Sequence, residues 1–353
     1  MDNKQSYVEQ SNIKNTLKLR EIRKHLPMFC SEFFLGIENN TATLTRLAYA
    51  QDLSIFFKFL SKEVPEFCNT PITLLNITDL EKITSTIIEQ FLDYLSYYVT
   101  DNNKCFKNKA YAKSRKLASI RSFLKYYFKK DEISKNVASK VDNPKINLKN
   151  IIRLDNDEVV RILDVAETGV NLTKMQKHYN QITTKRDTAI LTLFLGTGIR
   201  ISELIGININ DIDFNENKFS ITRKGGNQYI LYFSNEVKTA LLNYYVVRKD
   251  KIITKLEDKD AFFLSLKNQR INVRTVQNLV SKYSKIASPL KKISPHKLRS
   301  TYGTNLYKET HDIYIVADVL GHKDVNTTKK HYAAISEDIR KDAANKIKLR
   351  KTT

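Results

Sequence analysis

The 353-residue sequence has no tryptophan and only three cysteines. Cys30, Cys68 and Cys105 lie far apart and form no Cys-x-x-Cys pair. Their odd count argues against a disulfide framework and their spacing against a zinc site, so reduced, structural thiols are expected. No run approaches the ~20 consecutive apolar residues that a bilayer span requires, and no membrane partner is expected. The N-terminal stretch MDNKQSYVEQSNIKN lacks the apolar segment of a secretion signal, which makes a cytoplasmic location the simplest expectation. A Gly-x-x-x-x-Gly-Lys-Ser/Thr phosphate loop is missing, so nucleotide hydrolysis is not indicated. His-Glu-x-x-His and paired-carboxylate metal patterns are missing too. Chemistry without metal, ATP or other cofactor is therefore expected.

What the sequence has in excess is positive charge. The 59 Lys and Arg residues against 38 Asp and Glu give a net charge of +21. The natural partner of such a chain is a polyanion, because neutralising phosphates releases condensed counterions. A ribosomal or membrane-surface protein carries charge of this kind as well, and charge alone specifies no reaction. The hydrophobic fraction, 41%, is enough for real cores and excludes a disordered chain. At about 100–200 residues per domain, the length suggests two domains.

Residues 1–20 read as a polar arm. From Glu21 to about Lys130 the apolar residues recur with a helical period. They stand at Leu47, Leu53, Phe56, Phe57 and Leu60, then at Ile87, Ile88, Phe91, Leu92 and Leu95, and again at Leu117, Ile120, Phe123, Leu124 and Tyr127. Residues 21–133 thus read as a small all-helical domain. Around its last helix lie Lys113, Arg115, Lys116, Arg121 and Lys125, candidates for contact with nucleic-acid phosphates; a solvated helix face is the plainer reading. Residues 134–152 have no clear period, contain Pro144 and read as a linker. A second domain follows over 153–336. It opens on Asp-x-x-Glu ahead of apolar positions, a helix start. TKRDTAILTLFLGTGIR then reads as a buried helix ending near Gly196 or Gly198. Two alternating segments, Lys218–Arg223 and Gln228–Phe233, flank Gly225 and Gly226 and predict a hairpin. Further helical patterns follow, so this domain is mainly helical with a small antiparallel sheet. Residues 337–353 form a basic tail.

Six residues of the second domain carry chemistry as a set: Arg200 after Gly198, Lys224 at the hairpin tip, His296 and Arg299 in His-x-x-Arg, His322 after Gly321, and Tyr332. Residues three apart on a helix share a face, which joins His296 to Arg299. The set suits metal-free phosphoryl transfer. Arginine forks bind non-bridging phosphate oxygens and keep their charge at any working pH. A lysine protonates a leaving alkoxide, a histidine accepts a hydroxyl proton, and a phenol with pKa near 10 attacks once such neighbours activate it. Each residue also has an ordinary reading alone: Arg200 and Glu203 as an i, i+3 surface pair, Lys224 as a solvated turn residue, His322 as a helix cap, Tyr332 as core.

In their order, these boxes resemble those of the tyrosine recombinases, the phage integrase family. GTGIRISEL resembles the first arginine box, RKGGNQYILYF the lysine hairpin, PHKLRSTYGTNLY the His-x-Leu-Arg box and LGHKDVNTTKKHY the Gly-His…Tyr box. Within the family, the wording and the long first domain look most like the single-protein Xer recombinases of the XerS type. The resemblance implies a mainly α fold: a SAM-like core-binding domain followed by a mixed α+β catalytic domain. It implies that Arg200 and Arg299 clamp the scissile phosphate, that Lys224 is the general acid, that His296 assists proton transfer and that His322 positions the phosphate. Tyr332 would attack, giving a 3′-phosphotyrosyl link and a free 5′-hydroxyl, then a Holliday junction. It implies no cofactor. The partners would be a double-stranded DNA recombination site, a homotetramer on two such sites, with the tail as a subunit-docking helix, and an accessory DNA translocase or directionality factor. The activity would be chromosome dimer resolution in chromosome partition and cell division. Integration or excision of a phage or conjugative transposon is the alternative. A type IB topoisomerase-like enzyme and a non-enzymatic DNA-binding protein rank lower. Two departures stand out. Tyr332 falls one residue later after Gly-His than in many relatives, where His331 stands here, and Ser300 replaces a histidine often found after the second arginine.

Overall fold

The computed structural model describes residues 6–146, 152–223, 227–322 and 324–325. The chain divides into two compact units, Met1–Lys149 and Asn150–Thr353. The division falls inside the stretch expected to be a linker.

The first unit contains α1 (Tyr7–Arg23), α2 (Cys30–Gly36), α3 (Thr43–Glu63) and α4 (Ser85–Tyr94). A two-residue antiparallel hairpin follows, β1 (Tyr98–Val99) with β2 (Cys105–Phe106), and then α5 (Ala110–Phe128). The helical pattern of the sequence is realised, with one small ladder that it did not announce. Most of the expected polar arm is helix instead. Ser6 and Glu9 form a reciprocal capping box that starts α1, and Leu19 packs into the core. The core is aromatic. Phe33 meets Phe123 edge-to-face at 5.2 Å, and Phe29 meets Tyr127 at 5.8 Å. Such pairs contribute about 0.5–1.5 kcal/mol each beyond area burial. The first part of the expected linker belongs to this unit as well, because Ala138 and Val141 are buried in the same core.

The second unit opens with α6 (Asn156–Thr168), whose N-cap Asp155 and Glu158 form the capping box that Asp-x-x-Glu predicts. Next come α7 (Lys174–Thr197) and α8 (Ile201–Gly206). A three-stranded antiparallel sheet follows: β3 (Ile212–Asp213), β4 (Lys218–Thr222) and β5 (Gln228–Tyr232), in that spatial order. The hairpin is in register from Lys218↔Tyr232 to Thr222↔Gln228. Phe219, Ile221 and Leu231 of the hairpin turn inward. The unit ends with α9 (Asn235–Lys249), α10 (Val273–Ala287), α11 (Pro295–Thr310) and α12 (Ile313–Leu320). The hub is α7, which packs on α6, α9 and α11. Its stretch from Ala189 to Phe194 is almost wholly buried. One buried carboxylate, Asp187, ties α7 to α10. It accepts from Arg186, Thr183, Lys282 and Tyr283 at 2.7–3.1 Å. Burial and this anionic neighbour together hold the Tyr283 phenol above its ordinary value.

Candidate active site

The site begins with a glycine. Gly198 ends α7 at φ +62°, a backbone region that favours glycine. A Cβ there would also stand 2.8 Å from Leu320 Cδ2 and run into Tyr302. The turn it makes delivers Arg200 to the start of α8 two residues later. The Arg200 backbone N–H and Nη1 both donate to Glu203, at 2.9 and 2.8 Å. The i, i+3 pair foreseen as a surface pair therefore exists, but Glu203 is buried and the other arm of the fork points elsewhere. Arg200 Nη2 donates to Gly321 O at 2.8 Å.

Arg299 approaches from α11, one turn after its Pro295 start. It is 5% exposed. Its guanidinium donates to Gly198 O and to Leu320 O, joining the end of α7 to the end of α12. A third arginine arrives from the sheet. Arg223 follows β4 and donates to Val319 O at 2.9 Å. Its guanidinium carbon lies 3.5 Å from the centre of the Tyr229 ring. Tyr229 in turn donates to the Asp318 carboxylate at 2.8 Å. Partial burial, then this carboxylate, hold the Tyr229 phenol above its ordinary value.

Three successive carbonyl oxygens at the end of α12, those of Val319, Leu320 and Gly321, thus each accept from a different arginine. A helix C-terminus presents unpaired carbonyls and the negative end of the helix dipole, so cations are favoured there. Gly321 sits at φ +61°, and a Cβ on it would fall within 2.9 Å of three Arg223 guanidine atoms. The next residue is His322, whose N–H donates to Ala317 O at 2.9 Å. The structure therefore brings Arg200, Arg299 and the backbone of His322 to one place. His296 lies on α11 three residues before Arg299 and is exposed. Lys224 and Tyr332 lie outside the described residues, as does the tail 337–353. Arg223 and Tyr229 carried no role in the sequence reading. The only signal for Arg223 was its place next to Lys224.

The basic candidates of the first unit divide. Lys116 is 5% exposed, and its ammonium bonds the buried Asp52 at 3.0 Å. Arg115 grips the same carboxylate with both arms, each at 2.6 Å. Arg121 donates to Ala138 O, Val141 O and Asn143. These three side chains have partners within the unit, and of the three Lys116 alone is buried. Lys113 bonds Ser96 at an exposed position, and Lys125 is exposed. Cys68 and Cys105 are exposed, so of the three thiols Cys30 alone is buried. Among the described residues no His, Cys, Asp and Glu group could hold a metal, and no helix is long and apolar enough to cross a membrane.

Residues 152–338 match the model of the phage integrase family. The chain is 34% identical over 308 residues to a tyrosine recombinase XerC of Caldanaerobacter subterraneus subsp. tengcongensis, covering 86% of this chain and 81% of that protein. It is 28% identical over 357 residues to a tyrosine recombinase XerS of Streptococcus agalactiae, covering 94% of this chain and 98% of that protein. Among solved structures, it resembles the XerH site-specific recombinase bound to a palindromic difH substrate in a post-cleavage complex. That match has a TM-score of 0.61 at 18% identity and covers 86% of this chain and 80% of that one.

Proposed function

The chain belongs to the phage integrase family, and from that premise we propose that it is a site-specific recombinase that cuts and rejoins duplex DNA through Tyr332. The phenol oxygen attacks the scissile phosphorus. A bond from Tyr332 to phosphorus forms as the bond from phosphorus to the 5′-oxygen breaks. The phenol proton passes to a base, with His296 assisting, and Lys224 supplies a proton to the departing 5′-oxygen. Arg200 and Arg299 stabilise the charge on the non-bridging oxygens, and His322 positions the phosphate. The ester conserves the bond energy, so the step consumes no ATP and requires no metal. A 5′-hydroxyl from a second duplex reverses the reaction and builds a Holliday junction within a tetramer on two sites.

The observation that carries this reading is the meeting of two guanidiniums from α8 and α11 at Leu320–Gly321, directly ahead of His322. An arrangement serving only stability would not need two permanently charged forks at one helix end. The biological setting we favour is chromosome dimer resolution in the cytoplasm. Its support is the end-to-end alignment with a tyrosine recombinase XerS, first domain included. Tyr332→Phe should keep DNA affinity and lose covalent complex formation on a nicked suicide duplex, read on a denaturing gel. An adduct that survives this substitution moves the nucleophile elsewhere.

A further inference from the structure

We propose that Arg223 is a positioning residue for the phosphate clamp, acting through the end of α12. The inference rests on the recombinase reading above and extends it to a side chain outside the six-residue set.

Four observations converge. Arg223 holds Val319 O while Arg299 holds Leu320 O and Arg200 holds Gly321 O. Its guanidinium is fixed from the other side by the Tyr229 ring at 3.5 Å, and Tyr229 is itself fixed by Asp318 on α12. Gly321 has no side chain where Arg223 lies, so the two are in direct contact. Arg223 Nε is buried and, among the described residues, has no hydrogen-bond acceptor. The sheet and α12 are thereby bolted together at the point where Arg200 and Arg299 find their backbone anchors. Without the bolt, the last turn of α12 is free to shift. Both forks then lose the carbonyls that aim them. A guanidinium off its position by about 1 Å loses much of its differential hold on the transition state.

The test uses substrate chemistry that a structural defect ignores. The probe is a nicked suicide duplex, its sequence taken from DNA trapped covalently by the wild-type protein. The scissile phosphate is either a normal diester or a methylphosphonate, in which a methyl group replaces one charged oxygen. The neutral phosphonate needs less help from guanidinium charge. Arg223→Ala should slow cleavage of the diester by about 10–100-fold, the scale of losing part of an oxyanion-type donor set. On the methylphosphonate it should fall within about threefold of wild type. Tyr229→Leu, which removes the stacking ring but keeps Arg223, should show the same signature more weakly and covers the case in which Arg223→Ala fails to fold. Arg299→Ala is the control. If methylphosphonate rescues Arg299→Ala but neither Arg223→Ala nor Tyr229→Leu, the positioning role is wrong and the clamp stands. If it rescues none of them, the clamp and the positioning role both fall.

Discussion

In the first unit two cations, Arg115 and Lys116, close on one buried carboxylate, Asp52. In the second unit three guanidiniums close on three neutral carbonyl oxygens at one helix end. The same side-chain types thus do opposite things. Asp52 offsets one of the two positive charges that it binds. A neutral carbonyl holds a guanidinium in place without offsetting its charge, although Arg200 also pairs with the buried Glu203. A chain of net charge +21 has many cations, so abundance does not tell which of them meets a phosphate. The partner each one has in the fold does. Asp187 and Glu203 show that the second unit also pairs its cations with buried carboxylates, Asp187 where α7 meets α10 and Glu203 on Arg200 itself.

The comparison breaks most readily at Asp52. Asp52→Ala leaves Lys116 buried and Arg115 unpaired, and should cost about 3–5 kcal/mol, the scale of an uncompensated buried charge. Denaturant melting checks this. A loss below about 1 kcal/mol would mean that the first unit's cations are not held for the fold. A smaller effect sharpens the comparison within the second unit. Burial would raise the Glu158 carboxyl, but Lys291, the Asp155 N–H and Ser288 together carry it down to about 2. A depressed carboxyl stabilises the fold above its unfolded value, here 4.5, and that contribution is lost as pH falls toward 2. Glu158→Gln should therefore lower stability by about 1–3 kcal/mol at pH 7. The difference from wild type should shrink steadily below pH 4.5 in pH-resolved thermal melts. The smallest effect belongs to Lys125, an exposed cation on α5. Lys125→Gln should weaken DNA binding uniformly across sequences and reduce the salt slope by about one, measured by titration at several salt concentrations.

Legibility followed distance along the chain. The end of α7 at Gly198 and the two strands of the hairpin rest on neighbours within a few residues, and the structure has both; His296 and Arg299 lie three apart on α11. Helix α1 was missed because its apolar residues are sparse and mostly exposed, so its face gives little period. Strand β3 is two residues long, too short to alternate. Lys116 looked like a surface cation because the acid that buries it is 64 residues away. Arg223 has no role legible in the sequence because its acceptor is 96 residues away. Ala138 and Val141, within the stretch expected to be a linker, lack any local pattern and are buried only by the core that they meet. Composition and period thus reveal elements, and only the fold reveals which charges are already neutralised.

The most direct test isolates the covalent species formed by the wild-type protein on a nicked suicide duplex, digests both components and identifies by mass spectrometry the residue that keeps a nucleotide. The account predicts one modified peptide, bearing a 3′-linked nucleotide on Tyr332. A nucleotide on His331 or on any other tyrosine, or no adduct from a protein that binds the duplex, would contradict it.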